Sequence, residues 1–181
     1  MKVFRFAVQE GFEWALPGNS ADGDRLTKLA GAVRVGAWIP IRMSLLLEDE
    51  GKKLQPADTP WLGRHVLVLK QSAIDVLGDL LARDGEVLPL DCSETPLYLW
   101  NVVNVIDALD VERSEIVRFR SSDRIMRIER HVFRPDVLAG QLAFRIPGEQ
   151  DHAIFLSDEF VLRASKHHLR GLGFRLLWQD E

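Results

Sequence analysis

Two stretches of this chain, His65 to Asp91 and His152 to Trp178, run through the same succession of patterns. In the first, His65 to Leu69 is an apolar strand candidate, Ser72 to Ala82 carries Ala73, Ile74, Leu77, Leu80 and Leu81 at helical spacing, and Glu86 to Asp91 returns as a strand. In the second, His152 to Leu156 is strand-like, Ser157 can cap a helix whose first turn holds Asp158 and Glu159 at the positive dipole end, and Gly173 to Trp178 closes as a strand. Aligning His65 with His152 pairs Leu69 with Leu156, Ala73 with Phe160 and Ile74 with Val161. So few identities favour a shared plan of two strand-helix-strand units over a true duplication. A helix that follows a strand and returns to the same sheet must cover one of its faces, which excludes an all-β sandwich and a helical bundle. In the first helix, Ser72 followed by Asp75 predicts a capping box.

The remaining segments are mainly β-like. Val3 to Val8 predicts a strand and Pro17 to Asp24 a turn-rich loop, with a short helix from Arg25 to Ala32. Pro40 lacks a ladder donor, so a strand within Trp38 to Leu47 is an edge strand or begins after the proline. Glu48 to Leu62 reads as a long loop. Ile116 to Arg120 and Ile125 to Arg130 alternate apolar and charged residues around Ser121, Ser122 and Asp123, as a hairpin does. Phe133 and Leu142 to Ile146 supply further strand candidates. The expected fold is α+β: a mixed or mostly antiparallel sheet covered by two principal helices, in one domain spanning residues 1–181.

Composition narrows the function classes. The chain has 181 residues, 46% of them hydrophobic and 28% charged, enough to bury a core of its own and too mixed for disorder. No apolar run approaches the roughly 20 residues needed to span a bilayer, and M-K-V-F-R-F-A-V reads as a strand instead of a signal peptide. Cys92 is the single cysteine, which excludes an intrachain disulfide and fits the cytoplasm.

Catalytic and metal motifs are not found. His65, His131 and His152 stand apart, His167 and His168 are adjacent and would point about 100° apart on a helix, and Asp151 beside His152 would face the opposite side of a strand. Cys92 has no basic neighbour to activate it. Gly171 and Gly173 in R-G-L-G-F precede a strand, so they suit a helix end and turn better than a phosphate cradle. No enzyme, cofactor or metal is expected.

Charge is distributed unevenly within a net of −4. Residues 1–111 carry 11 basic and 16 acidic side chains, residues 112–134 carry 7 and 4, and residues 135–181 carry 5 and 7. On the expected hairpin, Val117, Phe119, Met126 and Ile128 would face inward and Arg118, Arg120 and Arg127 outward together, a surface suited to carboxylates or phosphates. Nucleic acid is not an expected partner of so acidic a chain.

Just before this basic island lies L-Y-L-W-N-V-V-N-V-I-D-A-L-D-V-E-R-S-E, residues 97–115. Asn101, Asn104 and Asp107 recur every third residue, as one face of a helical turn would. Alternatively, Leu97 to Val103 is a strand whose asparagines bond neighbouring loops. In both cases Asn101 and Asn104 are structural, and Asp107, Asp110, Glu112 and Glu115 face solvent or pair with arginines.

This motif, together with W-I-P (Trp38, Pro40), P-A-D-T-P, H-V-L-V-L-K-Q-S, V-L-P-L, I-F-L-S-D-E-F and G-L-G-F-R-L-L, resembles the eleventh numbered family of immunity proteins of bacterial polymorphic toxin systems, from about Gly36 to Trp178. Where relatives have phenylalanine after the aspartate of P-A-D, this chain has Thr59. The resemblance implies a cytoplasmic protein that binds and neutralises a cognate toxin and catalyses nothing. The residues expected to contact the toxin are Asp107, Asp110, Glu112 and Glu115, with Trp38, Arg118, Arg120 and Arg127 as a second patch. The alternative is a regulatory module that binds a small molecule or nucleic acid through the arginine hairpin 116–130.

Overall fold

The computed structural model describes residues 1–122, 124–149 and 152–180. Asp123 of the expected hairpin turn and Asp151 of the Asp151–His152 pair lie outside them. The strands are β1 (Lys2–Ala7), β2 (Trp14–Pro17), β3 (Arg42–Leu46), β4 (Glu48–Asp49), β5 (Lys52–Lys53), β6 (Leu67–Leu69), β7 (Gly85–Cys92), β8 (Leu97–Val102), β9 (Glu115–Arg118), β10 (Ile125–Arg130), β11 (Ala143–Phe144), β12 (Phe155–Ser157) and β13 (Gly173–Gln179). The helices are α1 (Ser20–Thr27), α2 (Gln71–Asp84), α3 (Pro135–Leu138) and α4 (Asp158–Lys166). One sheet has the order β2-β3-β7-β8-β6 and a second the order β11-β12-β1-β13, while β9 with β10 and β4 with β5 form separate hairpins. Pairing is antiparallel except between β3 and β7.

The two strand-helix-strand units share one topology. Strands β6 and β7 both pair antiparallel with β8, so they run parallel to each other with β8 between them, joined by α2. Strands β12 and β13 likewise flank β1, joined by α4. The central strand of each unit sends an aromatic ring into the layer between the sheets. Trp100 of β8 stacks on Phe160 of α4 at 5.3 Å, and Phe6 of β1 meets the same ring edge-on at 6.1 Å. Around them Leu77, Leu80 and Leu81 of α2 and Leu156 of β12 are buried in one cluster.

A single guanidinium ties the units together. Arg145, 2% exposed, donates through Nε to Val102 O at 2.8 Å, through Nη2 to His65 O at 2.9 Å and through Nη1 to His152 O. His65 and His152 are the residues that the sequence alignment equates, and each precedes the first strand of its unit.

The outer faces have their own cover. Alternate side chains of the five-stranded sheet, Val68, Leu88, Leu97 and Leu99, pack with Leu26 of α1, so both faces are buried and the strands read as apolar runs. On the far side of the other sheet, Val3 and Phe155 pack with Ala108, Leu109, Phe133 and Ile125. The fold is α+β with mostly antiparallel sheets, as expected; four α-helices, not two, are present among the described residues, and α1 covers a second face.

Several local expectations are corrected. Helix α1 begins at Ser20, inside the expected 17–24 loop, because Asn19 Oδ1 accepts from Asp22 N at 2.9 Å and caps it. Ser72 is not an N-cap: the cap position is Lys70, and the Ser72 hydroxyl donates instead to Asp58 Oδ1 at 2.6 Å. Ser157 does occupy the cap of α4, without a side-chain cap bond. Of the two expectations for the Pro40 segment, the second holds: β3 begins at Arg42, after the proline, and lies between β2 and β7. The 48–62 loop contains the β4–β5 hairpin.

Candidate partner-binding surface

Residues 97–115 form neither a helix nor one strand. They run along β8, between β7 and the edge strand β6 of the five-stranded sheet, and then cross to the outer face of the other sheet, where Ala108 and Leu109 are buried. The asparagines hold the crossing. Asn101, fully buried, donates through Nδ2 to Ala32 O at 2.8 Å and to Glu86 Oε1 at 3.0 Å. Asn104 donates to Gln141 Oε1 at 2.8 Å and to Ala143 O at 3.0 Å, and its carbonyl accepts from Arg145 N at 2.9 Å. The helical alternative for Asn101, Asn104 and Asp107 is therefore replaced by a strand followed by a bonded crossover. Val105, between β8 and the buried Ala108, is 45% exposed.

The bonds to Ala32 and Glu86 lead to residues that sequence reasoning passed over. Glu86 Oε1 accepts from Arg34 N at 2.6 Å and Oε2 from Val35 N at 3.1 Å. One carboxylate in β7 thus fixes two successive amides of the 32–40 segment, while Asn101 fixes the carbonyl just before them. Gly31, at φ +83°, lets the chain enter that segment against the motif: a Cβ there would lie 2.5 Å from Val105 Cγ2. Trp38 donates from Nε1 to Pro89 O at 2.7 Å, and the Arg25 guanidinium sits 5.8 Å from its ring. From this anchored backbone Val33, Val35 and Ile39 project into solvent, 68%, 67% and 70% exposed. Pro40 lies between this segment and β3. Read as sequence, A-V-R-V-G-A-W-I-P has the apolar content of a core segment, so only the three-dimensional placement reveals these side chains as surface.

Of the expected acidic residues, Asp107, Glu112 and Glu115 are exposed and Asp110 is half-buried, and Asp107 and Glu115 are matched with arginine side chains. Asp107 pairs with Arg134 at 2.9 Å and Glu115 with Arg130 at 2.8 Å; Asp110 Oδ1 accepts from Arg113 N at 3.0 Å; Glu112 is exposed. The hairpin arginines do not project together as expected. Direct cross-strand partners share a face, and the register sets Ile116 opposite Ile128 on the core side, Arg127 opposite Val117 on the other side, and Arg118 opposite the buried Ile125. Ile128 inward and Arg127 outward are as expected, but the register shift between Ile125 and Arg127 leaves Met126 exposed rather than buried and takes Arg118 off the face of Arg127. Arg120 lies beyond the strand and is exposed.

The P-A-D-T segment clasps the end of the second unit. Asp58 Oδ2 and the Arg170 carbonyl exchange bonds with the facing backbone: Arg170 N donates to Asp58 Oδ2 at 2.8 Å, and Asp58 N to Arg170 O at 3.0 Å. Burial would push the Asp58 carboxyl up, but hydrogen bonds from Ser72 and Arg170 hold it below the usual carboxylate value. Gly171, at φ +80°, allows the approach, since a Cβ would fall 2.5 Å from Ala57 Cβ and 2.8 Å from Thr59 O.

Burial pushes the Cys92 thiol up, away from the thiolate a nucleophile requires. His131 packs against Phe133, and burial, then the charges of Arg5 and Arg175, push its pKa down to about 4. Among the described residues, no group of three His, Cys, Asp or Glu side chains is placed to hold a metal, and no helix is long and apolar enough to cross a membrane.

No curated protein matches the chain. The family model that does match is described as the immunity protein family Imm11; it covers residues 91–177, from the end of β7 into β13, and over that span it bears out the family that the sequence resembles.

Proposed function

We propose that this chain is a cytoplasmic immunity protein of a bacterial polymorphic toxin system, which binds a cognate protein toxin in a stoichiometric complex and protects the producing cell without catalysing a reaction. The observation that carries this reading is the Imm11 match, whose span contains the crossover at Asn101 and Asn104. The reading places toxin contact on Asp107, Asp110, Glu112 and Glu115, with Trp38, Arg118, Arg120 and Arg127 contributing from separate positions. Rim charges of this kind act mainly on encounter rate and orientation, because exposed pairs such as Asp107–Arg134 add little net energy.

The test is co-expression with the toxic domain encoded beside this gene, followed by titration of purified immunity protein against toxin activity. The reading expects survival of the co-expressing cells and full inhibition at one equivalent. Survival without a complex, or full inhibition by a small fraction of an equivalent, would overturn it, the latter in favour of an enzyme that modifies the toxin.

A further inference from the structure

We infer that the 32–40 loop is an apolar anchor for a partner segment in which a large hydrophobic side chain is flanked by carboxylates. This rests on the toxin-binding reading above and names the chemistry of the toxin's contacting face.

Three observations converge on the loop. Val33, Val35 and Ile39 are each about two-thirds exposed, within one short segment, where isolated exposure of a single apolar residue would need no explanation. Their backbone is ordered before any partner arrives: Glu86 holds the amides of Arg34 and Val35, Asn101 holds the carbonyl of Ala32, and Trp38 is bonded to Pro89 O. Ordering a loop upon binding costs affinity, so a loop already fixed by hydrogen bonds to the sheet favours association.

The third observation is charge. Beside the loop lies a groove of about 260 Å³ whose apolar lining includes Leu29, Trp38 and Ile39 and whose cations are Arg25, Lys28 and Arg34. Arg25 is further fixed by its bond to Ile39 O at 2.5 Å and pairs with Asp22 at 3.5 Å, while the carboxylate of Glu86 is turned to the loop amides. The side chains that line the groove itself are apolar or cationic, in a chain of net charge −4. A second copy of the same chain would bring the same cations against themselves across a two-fold contact, which disfavours self-association there. An acidic, apolar-tipped protein segment satisfies both the groove and its rim. Val105, 45% exposed, adjoins the entry to the loop at Gly31 and adds to its apolar surface.

The experiment measures binding of the toxic domain encoded beside this gene to the intact chain and to Val35→Asp, Ile39→Asp and Lys28→Glu, with thermal melting of each. All three side chains lie at the surface of the groove or loop, so melting should be unchanged. Binding should weaken at least tenfold for each aspartate variant, about 1.4 kcal/mol, and Lys28→Glu should slow association and flatten its dependence on salt. Wild-type affinity within twofold in both aspartate variants would overturn the inference while leaving the immunity reading intact. No binding by the wild-type chain would overturn that reading and this inference with it. Sedimentation of the chain alone and pelleting with anionic phospholipid vesicles complete the test: self-association, or vesicle binding, that Ile39→Asp abolishes would assign the loop to a second copy or to a membrane surface and would overturn the inference.

Discussion

Replacing Arg145 by methionine should expose how much of the fold depends on one buried cation. Methionine keeps most of the aliphatic stem and removes the guanidinium, so lost packing contributes little. What disappears are three charge-assisted hydrogen bonds, to Val102 O, His65 O and His152 O, which lie in the two strand-helix-strand units. Each such bond contributes about 1.5–3 kcal/mol net, and a buried carbonyl left unpaired costs about 1–3 kcal/mol. Against this, removing a charge that is 2% exposed relieves its desolvation. The balance is a destabilisation on the order of 4 kcal/mol, a large part of the 5–15 kcal/mol typical of a domain. In equilibrium urea unfolding, with a slope of about 2 kcal/mol/M, the midpoint should fall by roughly 2 M. Arg145→Lys should recover only a fraction, because a single ammonium cannot reach three carbonyls held by three separate segments. A Met variant within about 1 kcal/mol of wild type would refute the argument, and would mean that water or backbone adjustment satisfies those carbonyls without the guanidinium.

Other consequences can be checked on the same material. His131 remains neutral in the folded chain down to about pH 4, whereas in the unfolded chain it takes up a proton near 6.5. The unfolded state therefore binds more protons between those values, and the contribution of His131 to stability is present above pH 6.5 and lost as pH falls toward 4, by roughly 3 kcal/mol in full. Urea unfolding of His131→Phe across this range should show a shallower pH dependence than wild type, and an unchanged slope would contradict the burial argument. Gly171→Ala should lower the melting temperature by several degrees, since the new Cβ would strike Ala57 and Thr59 at a left-handed backbone position. Glu86→Ala should leave the global fold in place but speed hydrogen exchange at Arg34 and Val35, whose amides lose their acceptor.

The parts of this architecture that were legible in the sequence are those written in local periodicity. Helix α2 is read from Ala73, Leu77, Leu80 and Leu81, and the two related units from the order of their patterns, because strand and helix spacing differ and a capped helix between two apolar runs has few arrangements. Long-range pairing was not legible. Nothing near Lys2 announces that β1 inserts between β12 and β13, and nothing near Arg145 announces acceptors at His65 and Val102. The hairpin shows the limit most clearly: its existence follows from alternation, and Arg127 and Ile128 keep their expected faces, yet the register shift between Ile125 and Arg127 leaves Met126 exposed and sets Arg118 opposite the buried Ile125. The candidate surface failed in the opposite direction. Trp38 and the motif acids stood out as residue types, while Glu86, Val33, Val35 and Ile39 carry ordinary strand and core identities, and only their hydrogen bonds and exposure distinguish them.

Hydrogen-exchange mapping of the chain with and without the toxic domain encoded beside it tests the central claim most directly, since it requires no substitution and reads every segment at once. A preformed apolar loop and the motif beside it, used to grip a protein, predict slowed exchange concentrated in residues 32–40 and 105–115, with the remainder of the chain little changed. Protection confined to other surfaces, or none upon mixing, would contradict the account.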